Sequence, residues 1–94
     1  MTVGKEMTPS GVALEYPLDY VFKIMGLASD DFPEHARRLV ASVVGDAPAE
    51  RVSVRASSKG KYQSVSVEVT LRSEQQRRAV YEALWRDERV VYYL

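Results

Sequence analysis

Residues 64–71 read Ser-Val-Ser-Val-Glu-Val-Thr-Leu, apolar at every second position and polar between. Side chains of a strand point alternately to opposite faces, so Val65, Val67, Val69 and Leu71 must share one side and Ser64, Ser66, Glu68 and Thr70 the other. Such a strand needs a sheet with one dry face and one wet face. A chain of 94 residues has room for one such layered domain, not two. The 46% hydrophobic and 28% charged content is that of an ordinary globular chain rather than a disordered one.

The remaining elements follow from period and punctuation. Residues 18–26 (Leu-Asp-Tyr-Val-Phe-Lys-Ile-Met-Gly) predict a strand, with Tyr20, Phe22 and Ile24 on one side and Val21, Lys23 and Met25 on the other. Gly26 predicts its end and a turn with unusual dihedrals. Asp31 with Glu34 has the spacing of a capping box, and Pro33 suits a first helical turn. Phe32, Ala36, Leu39, Val40, Val43 and Val44 then recur at helical spacing up to Gly45, a natural stop. Val52, Val54 and Ala56 alternate with Arg51, Ser53 and Arg55, which predicts a half-buried strand. The stretch Ser57-Ser58-Lys59-Gly60-Lys61 predicts a hairpin turn into the strand of residues 64–71. Ser73 with Gln76 predicts a second capped helix, with Val80, Ala83 and Leu84 as its stripe and Ala79, Tyr81 and Trp85 on the flanks. Residues 90–94 predict a last strand.

The order is β-α-β-β-α-β, which defines an α+β ferredoxin-like sandwich: a four-stranded antiparallel sheet with two helices on one face. Residues 1–15 predict a mobile tail, and residues 16–94 a single domain. The other face of the sheet, with Lys23, Arg55, Ser64, Ser66 and Glu68, is expected to stay open for a partner.

Three segments resemble the YbeD-like family of small bacterial proteins of unknown function. They are Glu15-Tyr16-Pro17 leading into Phe22-Lys23-Ile24-Met25-Gly26, the run from Ser57-Ser58-Lys59-Gly60 through Tyr62 to Val67, and Tyr81-Glu82-Ala83-Leu84 with the apolar last strand. The resemblance spans residues 15–94 and departs at Trp85, where a smaller residue is expected, and in the length of chain before Glu15. It implies a fold similar to ACT-type regulatory domains, a regulatory role, and no established catalytic activity. By that analogy, small effectors would sit at the corner of Gly26, Leu27 and Ala28.

Composition narrows the chemistry. Without Cys, the chain holds no thiolate metal site and no cysteine nucleophile, and its single His rules out any site that needs two imidazoles from one chain. Asp30, Asp31 and Glu34 lack a further ligand nearby, so no metal or cofactor is expected. They repel an anion from the helix start, where a cationic or neutral group or a partner's Arg suits better, unless they serve as caps alone. His35 is expected to be half-buried and satisfied. No nucleophile–base pair or cofactor motif appears, so the chain is read as no enzyme. No stretch predicts a membrane span or a secretory signal, and a cytoplasmic setting fits.

Net charge is +0, but residues 1–50 carry four basic and eight acidic groups, and residues 51–94 nine and five. A compact fold is expected to interleave them. The candidate contact residues are Lys23, Gly26, Arg55, Ser57, Ser58, Lys59, Gly60, Tyr62 and Ser64, on or beside the open face and its hairpin. The hairpin either forms an anion-binding nest or is only a turn, with Gly60 at positive φ and serines closing it. These residues predict a non-enzymatic regulatory or interaction module for a small effector or a protein partner. The alternative is weak RNA binding through the basic stretch Arg51, Arg55, Lys59 and Lys61. Nucleic acid is disfavoured because the two central strands offer no outward ring for stacking, leaving only Tyr62 and Tyr93. Tyr92, Tyr93 and Leu94 lie on an edge strand. Tyr92 and Leu94 either pack into the core or offer the edge to a second copy in a homo-oligomer.

Overall fold

A computed structural model describes residues 14–94, so the tail expected over residues 1–15 falls almost wholly outside the described residues. The elements are β1 (Leu18–Leu27), α1 (Phe32–Val44), β2 (Val52–Ala56), β3 (Tyr62–Leu71), α2 (Glu74–Arg86) and β4 (Val90–Tyr93). A single 3-10 turn, Ala49–Arg51, leads into β2 and has no counterpart in the sequence reading. The strands lie in the order β2-β3-β1-β4, every neighbouring pair antiparallel. This is the ferredoxin-like sandwich that the element order predicts.

β1 and β3 pair along all ten residues, from Leu18 opposite Leu71 to Leu27 opposite Tyr62. The pairing sets Phe22 beside Val67 and Ile24 beside Val65 on the face toward the helices. Both helices press on that face. Phe32, Ala36 and Val40 of α1 and Val80 and Leu84 of α2 close over Phe22, Ile24, Val65, Val67, Val69 and Leu71, all fully buried. Tyr20, Phe22, Tyr81 and Tyr93 form a chain of tilted and edge-on rings, with neighbouring centroids 4.9–5.7 Å apart.

Helix ends show which local rules prevail. Gly45 closes α1 at φ 87, with its N–H on the Ala41 carbonyl. Ser73 caps α2 by accepting the Gln76 N–H (3.1 Å), while the Gln76 side chain accepts from Arg72 N–H (2.7 Å). The capping box expected of Asp31 and Glu34 does not form. Asp31 has φ −103 and ψ 0, outside the extended region of a capping residue, and its carboxylate turns to Arg89 instead. Glu34 is held by Arg37 and Arg38.

Two strand expectations are also corrected. β2 is an edge strand, and the helix layer is centred on β1 and β3, so Val54 stays 48% exposed although it faces the helix side beside Val65. In β4 the ladder shifts between Met25 and Gly26, which puts Tyr93 opposite Ile24 and Tyr92 opposite Met25. Tyr93 therefore packs inward, whereas Tyr92 and Leu94 stand 56% and 59% exposed rather than in the core.

Gly26 does not turn the chain. The strand runs through it, and its lack of a Cβ is what matters: an added Cβ would overlap the Phe32 ring and come within 2.6 Å of the Arg89 carbonyl oxygen. Both neighbours are fixed, one in the core and one in the backbone beside β4. Gly26→Ala should therefore lower the unfolding free energy by about 1–3 kcal/mol, read from urea midpoints by circular dichroism. An unchanged midpoint would show that α1 and β4 part from β1 freely.

Candidate docking face

The outer side of the sheet carries the alternate residues of each strand. One row crosses all four strands: Arg55 (β2) opposite Ser64 (β3), Ser64 opposite Met25 (β1), and Met25 opposite Tyr92 (β4). The next row toward the far end holds Ser53, Ser66 and Lys23. Leu94 exchanges both backbone hydrogen bonds with Lys23 (2.9 and 3.2 Å), which places its side chain on the same outer face. Tyr62 lies opposite Leu27, one row beyond Ser64. The face is thus less polar than the sequence suggests, and it does offer rings, Tyr62 and Tyr92.

A cleft of about 260 Å³ opens where β2, β3 and β1 meet the hairpin, lined by Met25, Arg55, Ala56, Ser57, Tyr62, Gln63 and Ser64. The hairpin is built as a turn. Gly60 adopts φ 73 and donates its N–H to the Ser57 carbonyl (3.0 Å), and Ser57 Oγ accepts from Tyr62 N–H (3.2 Å). Ser58, Lys59, Gly60 and Lys61 stay exposed, with Lys61 Nζ 5.6 Å from the Tyr62 ring centre. Of the nine candidate residues, the cleft gathers Arg55, Ser57, Tyr62 and Ser64. Lys23 lies one row away, Ser58, Lys59 and Gly60 form the rim, and Gly26 is buried beneath and presents no surface.

Ion pairing separates the two ends of this face. At the end far from the hairpin, Arg51 binds Glu68 (2.9 Å) and approaches Asp19 (3.8 Å). Among the described residues, Lys23, Arg55, Lys59 and Lys61 form no ion pair. Of these, Arg55, Lys59 and Lys61 lie at the hairpin end and Lys23 lies mid-strand on β1, while Arg72, which also forms no ion pair among the described residues, follows the opposite end of β3.

The corner beyond Gly26 holds a crevice of about 310 Å³, lined by Leu27, Ala28, Ser29, Glu88, Arg89 and Val91. The cation that its acidic helix start calls for comes from the chain itself. Arg89 donates to Asp31 Oδ1 (2.8 Å) and Ser29 Oγ (2.9 Å) and stacks 5.6 Å over the Phe32 ring. His35 Nε2 lies 2.8 Å from Asp87 Oδ2, half-buried and satisfied as expected.

Sequence reasoning missed a second polar centre. Arg77 is buried between the Tyr20 and Tyr81 rings and forks onto Glu74 (3.1 and 2.9 Å). Tyr16 donates to the same carboxylate (2.6 Å), and the Tyr20 and Tyr81 hydroxyls meet at 2.9 Å. Burial, followed by the Tyr20 hydrogen bond, pushes the Tyr81 hydroxyl above its ordinary range. The signal available in the sequence was the spacing of Glu74, Arg77 and Tyr81, which puts all three on one side of α2. A groove of about 410 Å³ adjoins this centre, lined by Arg77, Tyr81, Tyr93 and Leu94.

Among the described residues no group of three or more His, Cys, Asp and Glu side chains could hold a metal ion, and no helix is long and apolar enough to cross a membrane.

A two-layer ferredoxin-like module with one bare sheet face is the class these features define. The comparisons place it further. Residues 12–94 match the family model described as "Protein of unknown function (DUF493)". The chain is 42% identical over 72 residues to a UPF0250 protein of Shewanella piezotolerans, covering 76% of this chain and 78% of that one. A UPF0250 protein of Janthinobacterium is 35% identical over 89 residues, 95% and 98% of the two chains. The chain therefore belongs to the DUF493 family, which is the YbeD-like family its motifs resemble. The solution structure of protein HP0495 from H. pylori superposes with a TM-score of 0.68 at 16% identity, over 92% of this chain and 90% of that one, which shows the shared fold.

Three carboxyls are held far below their ordinary range, each to about 2. Asp31 is lowered by Arg89 and then Ser29, Glu34 by Arg37 and then Arg38, and Glu74 by Arg77 and then Tyr16. The unfolded chain binds more protons than the fold below pH 4–5, so this stabilisation is complete above that range and is lost as pH falls toward about 2. Asp31 and Glu34 are exposed and contribute little of this, so the loss rests mainly on Glu74 beside buried Arg77. Urea midpoints should fall modestly over that window, and Arg77→Met should return the Glu74 carboxyl toward about 4.3, read by carboxyl-carbon NMR. An Arg77→Met protein in which Glu74 still titrates near 2 would show that another group holds it.

Proposed function

We propose that the chain is a non-enzymatic regulatory or interaction module that docks a protein partner or a small effector on its outer sheet face and hairpin. One observation supports the reading: the cleft at the hairpin end is bordered by three cations, Arg55, Lys59 and Lys61, that form no ion pair among the described residues. A partner with acidic groups would match these cations, and such complementary charge raises encounter rate and specificity. Docking there biases an assembly state or the activity of the target. Arg55, Ser57, Tyr62 and Ser64 line the contact, and Lys23, Ser58, Lys59 and Gly60 border it. The similarity of the fold to ACT-type domains is consistent with a regulatory role and adds no ligand.

RNA binding is the second reading, favoured by Tyr62 and Tyr92 on the outer face. It is weaker because Tyr62 stands at the end of a central strand and Tyr92 on an edge, with Met25, Ser64, Ser66 and Lys23 between and around them.

Affinity capture of the tagged chain from its own cell extract tests the proposal, with mass spectrometry of bound proteins and metabolites. At least one species should be held by the wild type and by Arg78→Glu on α2, and lost with Arg55→Glu combined with Lys59→Ala. Capture unchanged by the sheet-face substitutions would refute the site.

A further inference from the structure

We infer that the occupant of the outer face is an acidic protein segment, with carboxylates over the β2 end and an aliphatic or aromatic side chain over the β4 end. The inference rests on the docking reading above and adds the chemistry of the partner.

The row Arg55–Ser64–Met25–Tyr92 is graded, with a free guanidinium at one end, a hydroxyl and a thioether in the middle, and an exposed phenol ring at the other. In the next row Ser53 and Ser66 hold the β2 and β3 positions, and Lys23 on β1 lies beside Leu94 of β4. A partner that covers both rows removes Arg55 and Lys23 from water, which is unfavourable unless it brings opposite charge. It must bring apolar surface as well, because Tyr92 and Leu94 are large side chains more than half exposed side by side. Three inter-strand steps of about 4.8 Å separate the two ends, so the acidic and apolar groups of the segment stand about 14 Å apart, some four residues of extended chain.

A second copy does not supply this pattern. The acids of its sheet face, Asp19 and Glu68, are already engaged by Arg51, and a face-to-face pair would leave the cations of both copies unmatched. Nucleic acid supplies the charge but meets Met25, Ser64 and Ser66 where stacking would need rings.

The test uses the full chain in its own cells, with a photo-crosslinking phenylalanine derivative in place of Ser53 or Tyr92 on the outer face, or of Arg78 on α2 as the control. Crosslinked peptides from positions 53 and 92 should come from another protein and carry at least two Asp or Glu residues within five residues of the attachment. Arg55→Glu with Lys23→Glu should cut their yield at least about tenfold, because reversing two contact charges replaces attraction by repulsion. Both substitutions are at exposed positions, and circular dichroism verifies the fold of the variants. Crosslinks to nucleic acid, to a second copy, or to segments without acids overturn the acidic partner and leave docking on this face standing. Crosslinks no more frequent from positions 53 and 92 than from position 78 overturn both.

Discussion

The ten-residue pairing of β1 with β3 is the constraint on which the rest of the molecule depends. Its inward residues are the floor of the core, and each fully buried Val, Ile or Phe contributes about 1.5–3 kcal/mol relative to exposure. A register slip of one residue would exchange the two faces, burying Lys23 and Ser66 and exposing Phe22 and Val67. The burial that holds the fold therefore also fixes the outer rows. The outer face is the reverse side of the core strands, and it inherits their rigidity rather than that of a loop.

Much of this was legible in the residues. The alternation in 64–71 and the helical stripes gave every strand and helix within a residue or two, because each obeys one period and ends at a recognisable stop. What failed was decided by distant partners. Asp31 has the local pattern of a cap, yet a charge-assisted bond to Arg89, 58 positions away, outcompetes a backbone N–H. Glu74 meets Arg77 within α2, but Tyr16 and Tyr20 complete its surroundings only after the chain around β1 has docked. The direction of Tyr92 and Tyr93 hung on a ladder shift beside Gly26 that no Gly or Pro within β4 announces. Four of the nine candidate contacts came together in one cleft because alternation and the hairpin were read correctly. Gly26 did not, because a strand glycine that admits a ring looks in sequence like one that turns the chain.

The charge imbalance between the two halves of the chain is offset only in part by pairs that join them. Arg89 with Asp31 and Arg51 with Asp19 join basic groups of the second half to acidic groups of the first. Exposed pairs of this kind contribute little stability each. Their effect on the charge pattern is larger, since they neutralise the helix-start corner and Asp19 and leave Arg55, Lys59 and Lys61 unpaired at the hairpin end.

Trp85 is the single indole of the chain, and it stands 73% exposed on the outside of α2, away from the outer sheet. Its emission starts from a wet environment in the native state, so unfolding changes its surroundings little. Fluorescence melts of this protein would look deceptively featureless while the tyrosine cluster beneath α2 carries the spectroscopic record of the core. The same indole is a clean beacon for anything that covers the helical side, and it stays silent for whatever settles on the opposite layer.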